Sequence, residues 1–306
     1  MTAATPTPVT STPPLTPQKE TAAGIAKKKL SSPWASIAAI VLAVLWTIPT
    51  FGLLVSSFRP ERAIKTTGWW TFFSDPTVTM ENYKAVFGEE GGVNLAAYFV
   101  NSLMICIPAV LIPMALATLA AYAFTWINFP GRNFLFIVVF ALQIVPLQVT
   151  LIPLLEIFVK IDLTGTFWTL WISHSAFALP LAIYLLSNFM REIPSGLIEA
   201  ARIDGAGHVS IFFKVMLPLL TPALAAFGIF QFLWVWNDLL VALVFAGGGD
   251  EVAPITLQLA NLSGTRGTAW QLLSAGAFVS IIVPVVVFLL LQRYFVRGLL
   301  AGSVKG

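Results

Sequence analysis

Residues 97–124 read AYFVNSLMICIPAVLIPMALATLAAYAF, an apolar stretch of 28 residues without a charged side chain. An α-helix rises about 1.5 Å per residue, so about 20 apolar residues cross the roughly 30 Å hydrocarbon core of a bilayer. The stretch therefore predicts a helix that spans a membrane.

Five other stretches of the chain are long and apolar enough for the same structure. The chain of 306 residues is 58% hydrophobic and 10% charged, with a mean hydropathy of +0.86. Soluble domains have about 45–50% apolar and about 25% charged residues, and a soluble fold would lack the polar groups to cover such a core. The sequence predicts an all-α, polytopic membrane protein with six transmembrane helices, over residues 34–57, 97–124, 134–157, 167–189, 217–246 and 272–295.

Prolines inside these stretches predict kinked helices, which membrane proteins tolerate when neighbouring groups satisfy the freed carbonyls. The kinks favour helices arranged around a path, and kinked scaffolding is the alternative. The prolines are Pro49, Pro108, Pro113, Pro146, Pro153, Pro180, Pro222 and Pro284.

Composition and charge predict the domain organisation and the orientation. Residues 1–33 are rich in Thr, Pro and Ala and cannot bury enough apolar surface to fold, so they predict a disordered cytoplasmic tail before a membrane domain of residues 34–306. Cytoplasmic loops carry an excess of Lys and Arg, and this rule places both termini in the cytoplasm. The cytoplasmic side then has Lys19, Lys27, Lys28, Lys29, Arg132, Arg191, Arg202, Lys214, Arg293, Arg297 and Lys305, and the outer side has Arg59, Arg62, Lys65, Lys84, Lys160 and Arg266.

The sequence contains no motif of an enzyme, a metal centre or a nucleic-acid-binding surface. Its single cysteine, Cys106, lies in an apolar stretch, and His174 and His208 lie on opposite predicted sides of the membrane. No Gly-Lys dipeptide occurs, so the phosphate-binding Walker loop is absent. The net charge of +3 comes from residues that flank apolar stretches and form no compact basic face. We predict no catalytic residue, no metal ligand, no cofactor bound by this chain and no nucleic-acid partner.

The connection of residues 190–216, which the orientation places in the cytoplasm, contains a helix–turn–helix pattern that we call the bracket. Pro194 suits the first turn of a helix, and residues 195–203 have helical spacing. Asp204-Gly205 is a turn signal, and a second helix begins near Gly207. From the residues alone, the bracket is either an amphipathic loop on lipid headgroups or a docking site for a partner.

The bracket carries a motif of a known family. Glu199-Ala200-Ala201, Asp204-Gly205-Ala206, Leu217-Pro218 and Pro222 resemble the EAA signature of ATP-binding-cassette (ABC) importer permeases over about 24 positions. Other stretches resemble the carbohydrate-uptake subfamily, more narrowly the second permease subunit of maltose-type importers, and most narrowly α-glucoside permeases. They are Ser57-Phe58-Arg59-Pro60, Glu81-Asn82-Tyr83, Asn101-Ser102-Leu103, Phe129-Pro130-Gly131-Arg132, Trp236-Asn237-Asp238, Gly68-Trp69-Trp70 and residues 292–299.

The resemblance implies the type I permease fold of ABC importers and a place in the cytoplasmic (inner) membrane of a bacterium. It also implies partners: a second permease subunit, a dimer of cytoplasmic ATPases that bind ATP and magnesium, an extracytoplasmic sugar-binding protein, and membrane lipid. In the family the bracket is a coupling helix that inserts into the ATPase. The implied coupling residues are Glu199, Ala200, Ala201, Arg202, Asp204, Gly205, Ala206 and Gly207, and a local Glu199–Arg202 ion pair is the alternative for that pair.

Polar residues inside the apolar spans are candidates for a sugar path, because polar groups in lipid are costly and usually face an interior. An acid at the centre of a span costs about 2.5–3.5 kcal/mol on insertion scales, so Asp238 needs a cavity, a partner subunit or a place near the outer interface. Aromatic side chains can stack on sugar faces. The candidates are Trp234, Trp236, Asn237, Asp238, Gln231 and Gln143, with helix contact as the alternative for the two glutamines.

Other functions stay open from the sequence. A permease of the same architecture could carry a different solute, such as a polyol. An ion-coupled secondary transporter would favour internal repeats and intramembrane ionisable pairs, and the chain has no convincing repeat. A membrane enzyme would need a reactive group of side chains, which the sequence does not provide.

Overall fold

The computed structural model of the chain describes residues 33–88, 94–263 and 269–303. Within these ranges the residues form helices and no strand, apart from one antiparallel bridge between Phe87 and Asn94. The all-α prediction is therefore confirmed. The predicted disordered tail lies outside the described residues except for residue 33, which already begins the first helix. Of the charges used for the orientation, those outside the described residues are Lys19, Lys27, Lys28, Lys29, Arg266 and Lys305 and the side chains of Arg293 and Arg297.

The described residues form fourteen α-helices, a 3-10 helix over Trp69–Phe73 and a π-helical turn over Phe212–Met216. The first seven are α1 (Pro33–Ser57), α2 (Glu61–Thr66), α3 (Glu81–Val86), α4 (Leu95–Trp126), α5 (Arg132–Leu142), α6 (Leu147–Lys160) and α7 (Phe167–Glu192). The others are α8 (Ser195–Ile203), α9 (His208–Ile211), α10 (Leu217–Leu219), α11 (Thr221–Trp236), α12 (Leu240–Phe245), α13 (Ile255–Ser263) and α14 (Trp270–Ser303).

Four helices are each long and apolar enough to cross a bilayer: α1, α4, α7 and residues 270–292 of α14. Two further spans are bent, because α5 meets α6 at 99° and the helical stretch His208–Leu219 meets α11 at 70°. The six predicted spans therefore correspond to four uninterrupted helices and two bent pairs.

The third predicted span, residues 134–157, is divided in two because it breaks at residues 143–146. Proline has no backbone N–H and moves the residue before it towards extended conformations. Pro146 itself is extended, with a ψ of 132°, and directly precedes α6. At this position the predicted kink is a complete break.

The fifth predicted span, residues 217–246, is also divided. Its helical stretch begins already at His208, bends at Leu220 and ends at Trp236. Pro222 lies in the first turn of α11, where a missing N–H costs little. After a break at residues 237–239 the chain continues as α12, a short helix that hydropathy did not separate from the span.

The chain divides into two units between Gly52 and Leu53. The described part of the first unit, residues 33–52, is a single helical stretch. Its side chains are apolar and largely exposed, among them Trp34 and Trp46. Such a surface is typical of a helix that faces lipid.

In the second unit, α4 and α7 form the central helix pair. Small residues allow the two backbones to approach closely: Ala109, Ala117 and Ala121 on α4 and Ala182 on α7 are fully buried. The helix α11 packs against both α4 and α7, and α14 packs against α11. The position of α11 is thus fixed by three other spans.

Three prolines inside spanning helices each leave a carbonyl without its helical partner, because proline cannot donate to the residue four positions before it. In each case a side chain of a neighbouring helix donates instead. On α7, Trp171 Nε1 donates to the carbonyl oxygen of Met104, four residues before Pro108, at 2.9 Å. The carbonyls freed by Pro113 and Pro284 accept hydrogen bonds from candidate site residues.

Two asparagines from the sequence motifs fix the connections at the end of the bundle opposite the bracket. Asn101 Nδ2 on α4 lies within 3.3 Å of the carbonyl oxygens of Asp250, Glu251 and Ala253. Asn82 Nδ2 on α3 donates to the carbonyl oxygens of residues 57 and 59, at 2.9 and 2.8 Å. Both connections are therefore anchored to helices by side-chain hydrogen bonds, which are buried for Asn82 and partly exposed for Asn101.

Candidate functional site

The bracket begins with α8, a short amphipathic helix. It starts directly after Pro194, and its bounds agree with the predicted residues 195–203. Ile198 is 2% exposed and belongs to an apolar cluster built by α4, α7 and α11. Leu197 and Ile203 face outwards, and Ile203 is 86% exposed. One face of α8 is therefore packed on the bundle and the other is open.

The turn after α8 is a Schellman motif centred on Gly205. The N–H of Ala206 donates to the carbonyl oxygen of Ala201 at 2.9 Å, and the N–H of Gly205 to that of Arg202 at 3.0 Å. Gly205 has a φ of +82°, in the left-handed region that other residues rarely adopt. A Cβ at this position would meet no atom within 4 Å. Glycine is thus favoured here by the backbone conformation and not by lack of space.

Most of the candidate coupling residues are exposed. Glu199 and Arg202 form no ion pair with each other, and the structure pairs neither of them with any other described residue. Of the eight candidates, Ala201 and Ala206 are half-buried, and the exposed ones are Glu199, Ala200, Arg202, Asp204, Gly205 and Gly207. The structure therefore brings the eight together on α8 and its turn and leaves six of them open to a partner.

The second helical stretch of the bracket adds to this open surface. Its inner side, with Ile211 and Phe212, is buried in the same apolar cluster. Val209 is 73% exposed, and Phe213 is exposed too. We call the exposed apolar residues Leu197, Ile203, Val209 and Phe213 the bracket surface. Exposed apolar side chains of this kind occur at interaction sites and at the surfaces of helices that rest on lipid.

A cavity of about 1050 Å³ lies between the α5–α6 break, α7 and α11. Its lining is mostly apolar, and none of the described lining residues carries a charge. The polar side chains that line it are those of Gln143, Thr150, Gln231 and Trp234. Three of the six candidates for the substrate path therefore lie at one cavity.

The three lining candidates differ in their contacts. Gln143 is exposed at the α5–α6 break, and Trp234 is 37% exposed, with its ring perpendicular to that of His174 at 5.1 Å. Gln231 is buried, and its Nε2 donates to the carbonyl oxygen of Ala109 at 3.1 Å. That carbonyl is the one freed by Pro113. Gln231 therefore makes a helix contact while it also lines the cavity.

Trp236 and Asn237 do not line the cavity. Trp236 is 1% exposed, and its Nε1 donates to the carbonyl oxygen of Ser280 at 3.1 Å, four residues before Pro284. Its ring also packs against two phenylalanines, with centroids 5.6 Å away. Asn237 is exposed, and its Nδ2 donates to the carbonyl oxygen of Leu233 within α11 at 2.7 Å. Both side chains thus make contacts that stabilise helices.

Asp238 lies between α11 and α12 and also does not line the cavity. Its carboxylate accepts the backbone N–H groups of Val241 and Ala242, at 3.3 and 3.2 Å, at the start of α12. Its backbone carbonyl accepts the hydroxyl of Thr256 at 2.6 Å, and its Oδ2 lies 3.8 Å from His174 Nε2. The sequence predicts that the charge of Asp238 needs a cavity, a partner subunit or a place near the outer interface. In the structure this charge is stabilised by the N-terminus of a helix.

Gln143 was the one predicted site residue in the α5–α6 break, although residues 142–147 all line the cavity. Irregular backbone at membrane depth occurs where it is buried in protein or lines a cavity. Pro146 was the sequence signal for this break. Within residues 33–88, 94–263 and 269–303, no group of three or more His, Cys, Asp or Glu side chains has an arrangement that could hold a metal ion.

Comparisons with known proteins give the family of the chain. Residues 113–300 match the family model described as binding-protein-dependent transport system inner membrane component. The chain is 54% identical over 272 residues to the osmoprotective compounds uptake permease protein GgtD of Synechocystis sp., which covers 88% of this chain and 91% of that protein. It is 48% identical over 258 residues to the alpha-glucoside transport system permease protein AglG of Rhizobium meliloti, with 83% of this chain and 67% of that protein covered.

A solved structure agrees on the fold. A chain from a bacterial ABC transporter involved in the import of the acidic polysaccharide alginate superposes with a TM-score of 0.67, covering 86% of this chain and 98% of that one at 22% sequence identity. This likeness confirms the type I permease fold that the EAA signature implied. The matched family region begins within α4 and includes the cavity lining, the bracket and most of α14. The chain belongs to the family of binding-protein-dependent transport system inner membrane components.

Proposed function

We propose that this chain is the permease subunit of an ATP-driven importer for neutral carbohydrates, with α-glucosides as the substrate class. The name of AglG, an alpha-glucoside permease 48% identical to the chain, supports the substrate class. The cavity supports a neutral solute, because none of its described lining residues is charged. Its few polar groups would make weak, exchangeable contacts, which suits a path through which the solute must pass.

The observation that carries the proposal is the bracket surface beside the exposed turn at Gly205. An importer that moves solute uphill needs an energy source, and the sequence has no Walker loop. We propose that a dimer of separate ATPase subunits binds ATP and magnesium and docks on the bracket surface. The bracket and both termini would then lie in the cytoplasm, with the chain in the cytoplasmic membrane of a bacterium.

The proposed cycle is a rigid-body switch between two packed states. Closure of the ATPases would move the bracket, and the bracket would carry the helices that its inner side packs against, α4, α7 and α11. A second permease would complete the path on the open side of the cavity, where Ile144 and Val145 at the α5–α6 break are exposed. An extracytoplasmic solute-binding protein would deliver the sugar at the opposite end. Membrane lipid would cover the remaining apolar surface.

A different solute on the same architecture is the second candidate. GgtD, which is 54% identical to the chain, is named for the uptake of osmoprotective compounds. An uncharged cavity is compatible with a small neutral osmoprotectant as well as with a sugar. The ion-coupled alternative is not favoured by the family to which the chain belongs.

Uptake by the purified complex tests the proposal. The complex is isolated through an affinity tag on this chain, and its subunits are identified by mass spectrometry. It is then reconstituted in liposomes with ATP inside and the solute-binding protein added outside. We expect ATP-dependent uptake of at least one of radiolabelled maltose, sucrose and trehalose, with no uptake of alginate oligosaccharides. Sorbitol and glycine betaine serve as probes for the osmoprotectant candidate.

Two results would contradict the proposal in different ways. If glycine betaine or sorbitol is taken up and no α-glucoside is, the proposed substrate class is wrong and the ATP-driven importer mechanism stands. Sugar uptake that persists without ATP and collapses when a protonophore is added would overturn the ATP-driven mechanism.

A further inference from the structure

A tyrosine of the central helix pair is bonded directly to the bracket. The hydroxyl of Tyr122 on α4 lies 3.0 Å from Nδ1 of His208, the first residue of α9, and 3.5 Å from the carbonyl oxygen of the same residue. Tyr122 is 5% exposed, and its ring meets that of Phe212 edge to face at 5.4 Å. The bond is thus held in a packed aromatic environment, at the residue that follows Gly207.

The other contacts between the bracket and the bundle are mainly apolar, although Arg202 of the bracket also lies within electrostatic range of Tyr122. The helix α8 touches the bundle through Ile198 and, less deeply, Ala201, and α9 touches it through Ile211. Among the described residues, the bond between Tyr122 and His208 is the one side-chain hydrogen bond that joins residues 195–211 to a spanning helix. Apolar contacts depend little on direction, whereas a hydrogen bond depends on distance and angle. This bond is therefore a direction-dependent link between the bracket and α4.

We infer that Tyr122 is a positioning residue for energy coupling, because its bond to His208 holds the start of α9 to α4. The inference rests on the proposed function of the bracket. A movement imposed on α8 and its turn would reach α4 through this bond, and α4 would carry α7, its main packing partner. Without the bond, α9 could shift against α4, and part of the movement would be lost before it reached the cavity.

The test is a double-mutant cycle on the reconstituted complex, with Tyr122→Phe, His208→Ala and the double variant. The readout is the number of radiolabelled maltose molecules imported per ATP hydrolysed, or of sucrose if maltose is not a substrate of the wild type. One hydrogen bond of this kind changes an equilibrium between two states roughly five-fold. We expect each single variant to lower the ratio about five-fold and the double variant to be no worse than either.

Tyr184→Phe is the matched control. The ring of Tyr184 on α7 packs against that of Phe140 in a tilted arrangement, with centroids 4.7 Å apart, and no hydrogen bond of its hydroxyl occurs among the described residues. The control should keep the wild-type ratio. Hydrogen–deuterium exchange gives a second readout that does not depend on transport: the amide of Ile211, which donates to the carbonyl oxygen of Gly207 at 3.0 Å, should exchange faster in Tyr122→Phe than in the wild type or in Tyr184→Phe.

The outcomes separate this inference from the proposed function. If the wild-type complex shows no ATP-driven uptake, the function of the bracket is wrong and the inference falls with it. If the wild type couples normally while Tyr122→Phe keeps both its transport ratio and its exchange rates, only the inference is overturned. His208 is exposed, so His208→Ala tests the same bond should Tyr122→Phe fail to fold, and an unchanged ratio there would also reject it.

Discussion

Gln231 on α11 donates its side-chain amide to the carbonyl oxygen of Ala109 on α4, at 3.1 Å. Ala109 lies four residues before Pro113, and proline has no N–H with which to complete the helical bond. The amide of Gln231 replaces the missing donor from across the helix interface. A polar residue that the sequence presents as a candidate for the sugar path therefore also has a structural partner.

Replacing Gln231 with leucine should destabilise the protein, because the carbonyl of Ala109 would then have no donor in an apolar interior. We expect a loss of about 1–2 kcal/mol in the free energy of unfolding, measured as a lower midpoint of thermal unfolding in detergent. The variant Pro113→Ala restores an N–H to the helix. The double variant Pro113→Ala, Gln231→Leu should accordingly regain most of the lost stability, and an equally unstable double variant would refute this explanation.

The same reasoning predicts different effects for substitutions of Trp234 and Trp236. Trp236→Phe removes the donor to the carbonyl of Ser280, which Pro284 leaves free, and it leaves a space in a fully buried site. We expect a loss of about 1–3 kcal/mol in stability. Trp234→Phe changes a partly exposed ring at the cavity, so it should alter sugar uptake with little effect on unfolding. Equal effects of both variants on the unfolding midpoint would contradict this assignment.

These bonds show what the sequence can and cannot predict. The bracket could be predicted because its signals are local: Pro194, the turn pair Asp204-Gly205 and helical spacing all act within a few residues. The donor to the carbonyl oxygen of Ala109 could not be predicted, because Gln231 lies 122 residues further along the chain. Only the packing of α11 on α4 brings the Gln231 amide to this carbonyl. Pro113 indicates that some donor is needed, and nothing local says which side chain provides it.

The break at residues 143–146 shows a different limit. The hydropathy of residues 134–157 is continuous, so the pattern predicts one kinked span, whereas the structure has two helices at 99°. Pro146 restricts the residue before it in either case. Whether the chain kinks or breaks depends on what the freed backbone can face, and here it faces a cavity. The sequence pattern does not indicate this, because the cavity is formed by the packing of the helices.

Gly205 allows the coupling role of the bracket to be tested apart from its folding. Its φ of +82° disfavours residues with a Cβ, by about 1–2 kcal/mol for alanine and less for asparagine. Because a Cβ there meets no neighbouring atom, Gly205→Asn should preserve the turn and the abundance of the protein. Gly205→Glu should also insert into the membrane at normal abundance, and we expect its bulk and charge at the docking face to uncouple ATP hydrolysis from uptake.

The measurement is uptake and ATP hydrolysis by the same reconstituted complexes. Gly205→Asn is the control for backbone conformation and should retain more coupling than Gly205→Glu. Crosslinks from a cysteine at the neighbouring exposed position Ala200 should reach an ATPase subunit in the wild type. Normal uptake by Gly205→Glu at normal expression would disprove the coupling role.

Substitutions of Asp238 distinguish two roles for this acid, a structural role and a role in carrying protons. Its carboxylate accepts the N–H groups of Val241 and Ala242 and so caps α12. Asparagine keeps a side-chain oxygen that can accept such a bond and is an equally good cap, whereas leucine has no acceptor. If the role is structural, Asp238→Asn should retain most of the ATP-driven uptake. Asp238→Leu should lower stability by about 1–2 kcal/mol.

An ion-coupled mechanism predicts the opposite order for these two variants. Asparagine cannot release a proton at any pH, so a proton-carrying acid would be inactivated by Asp238→Asn even in a stable protein. Uptake and thermal unfolding measured on the same preparations distinguish the two cases. His174, whose Nε2 lies 3.8 Å from the carboxylate, provides a further check, since His174→Gln should leave uptake largely intact if Asp238 acts only as a helix cap.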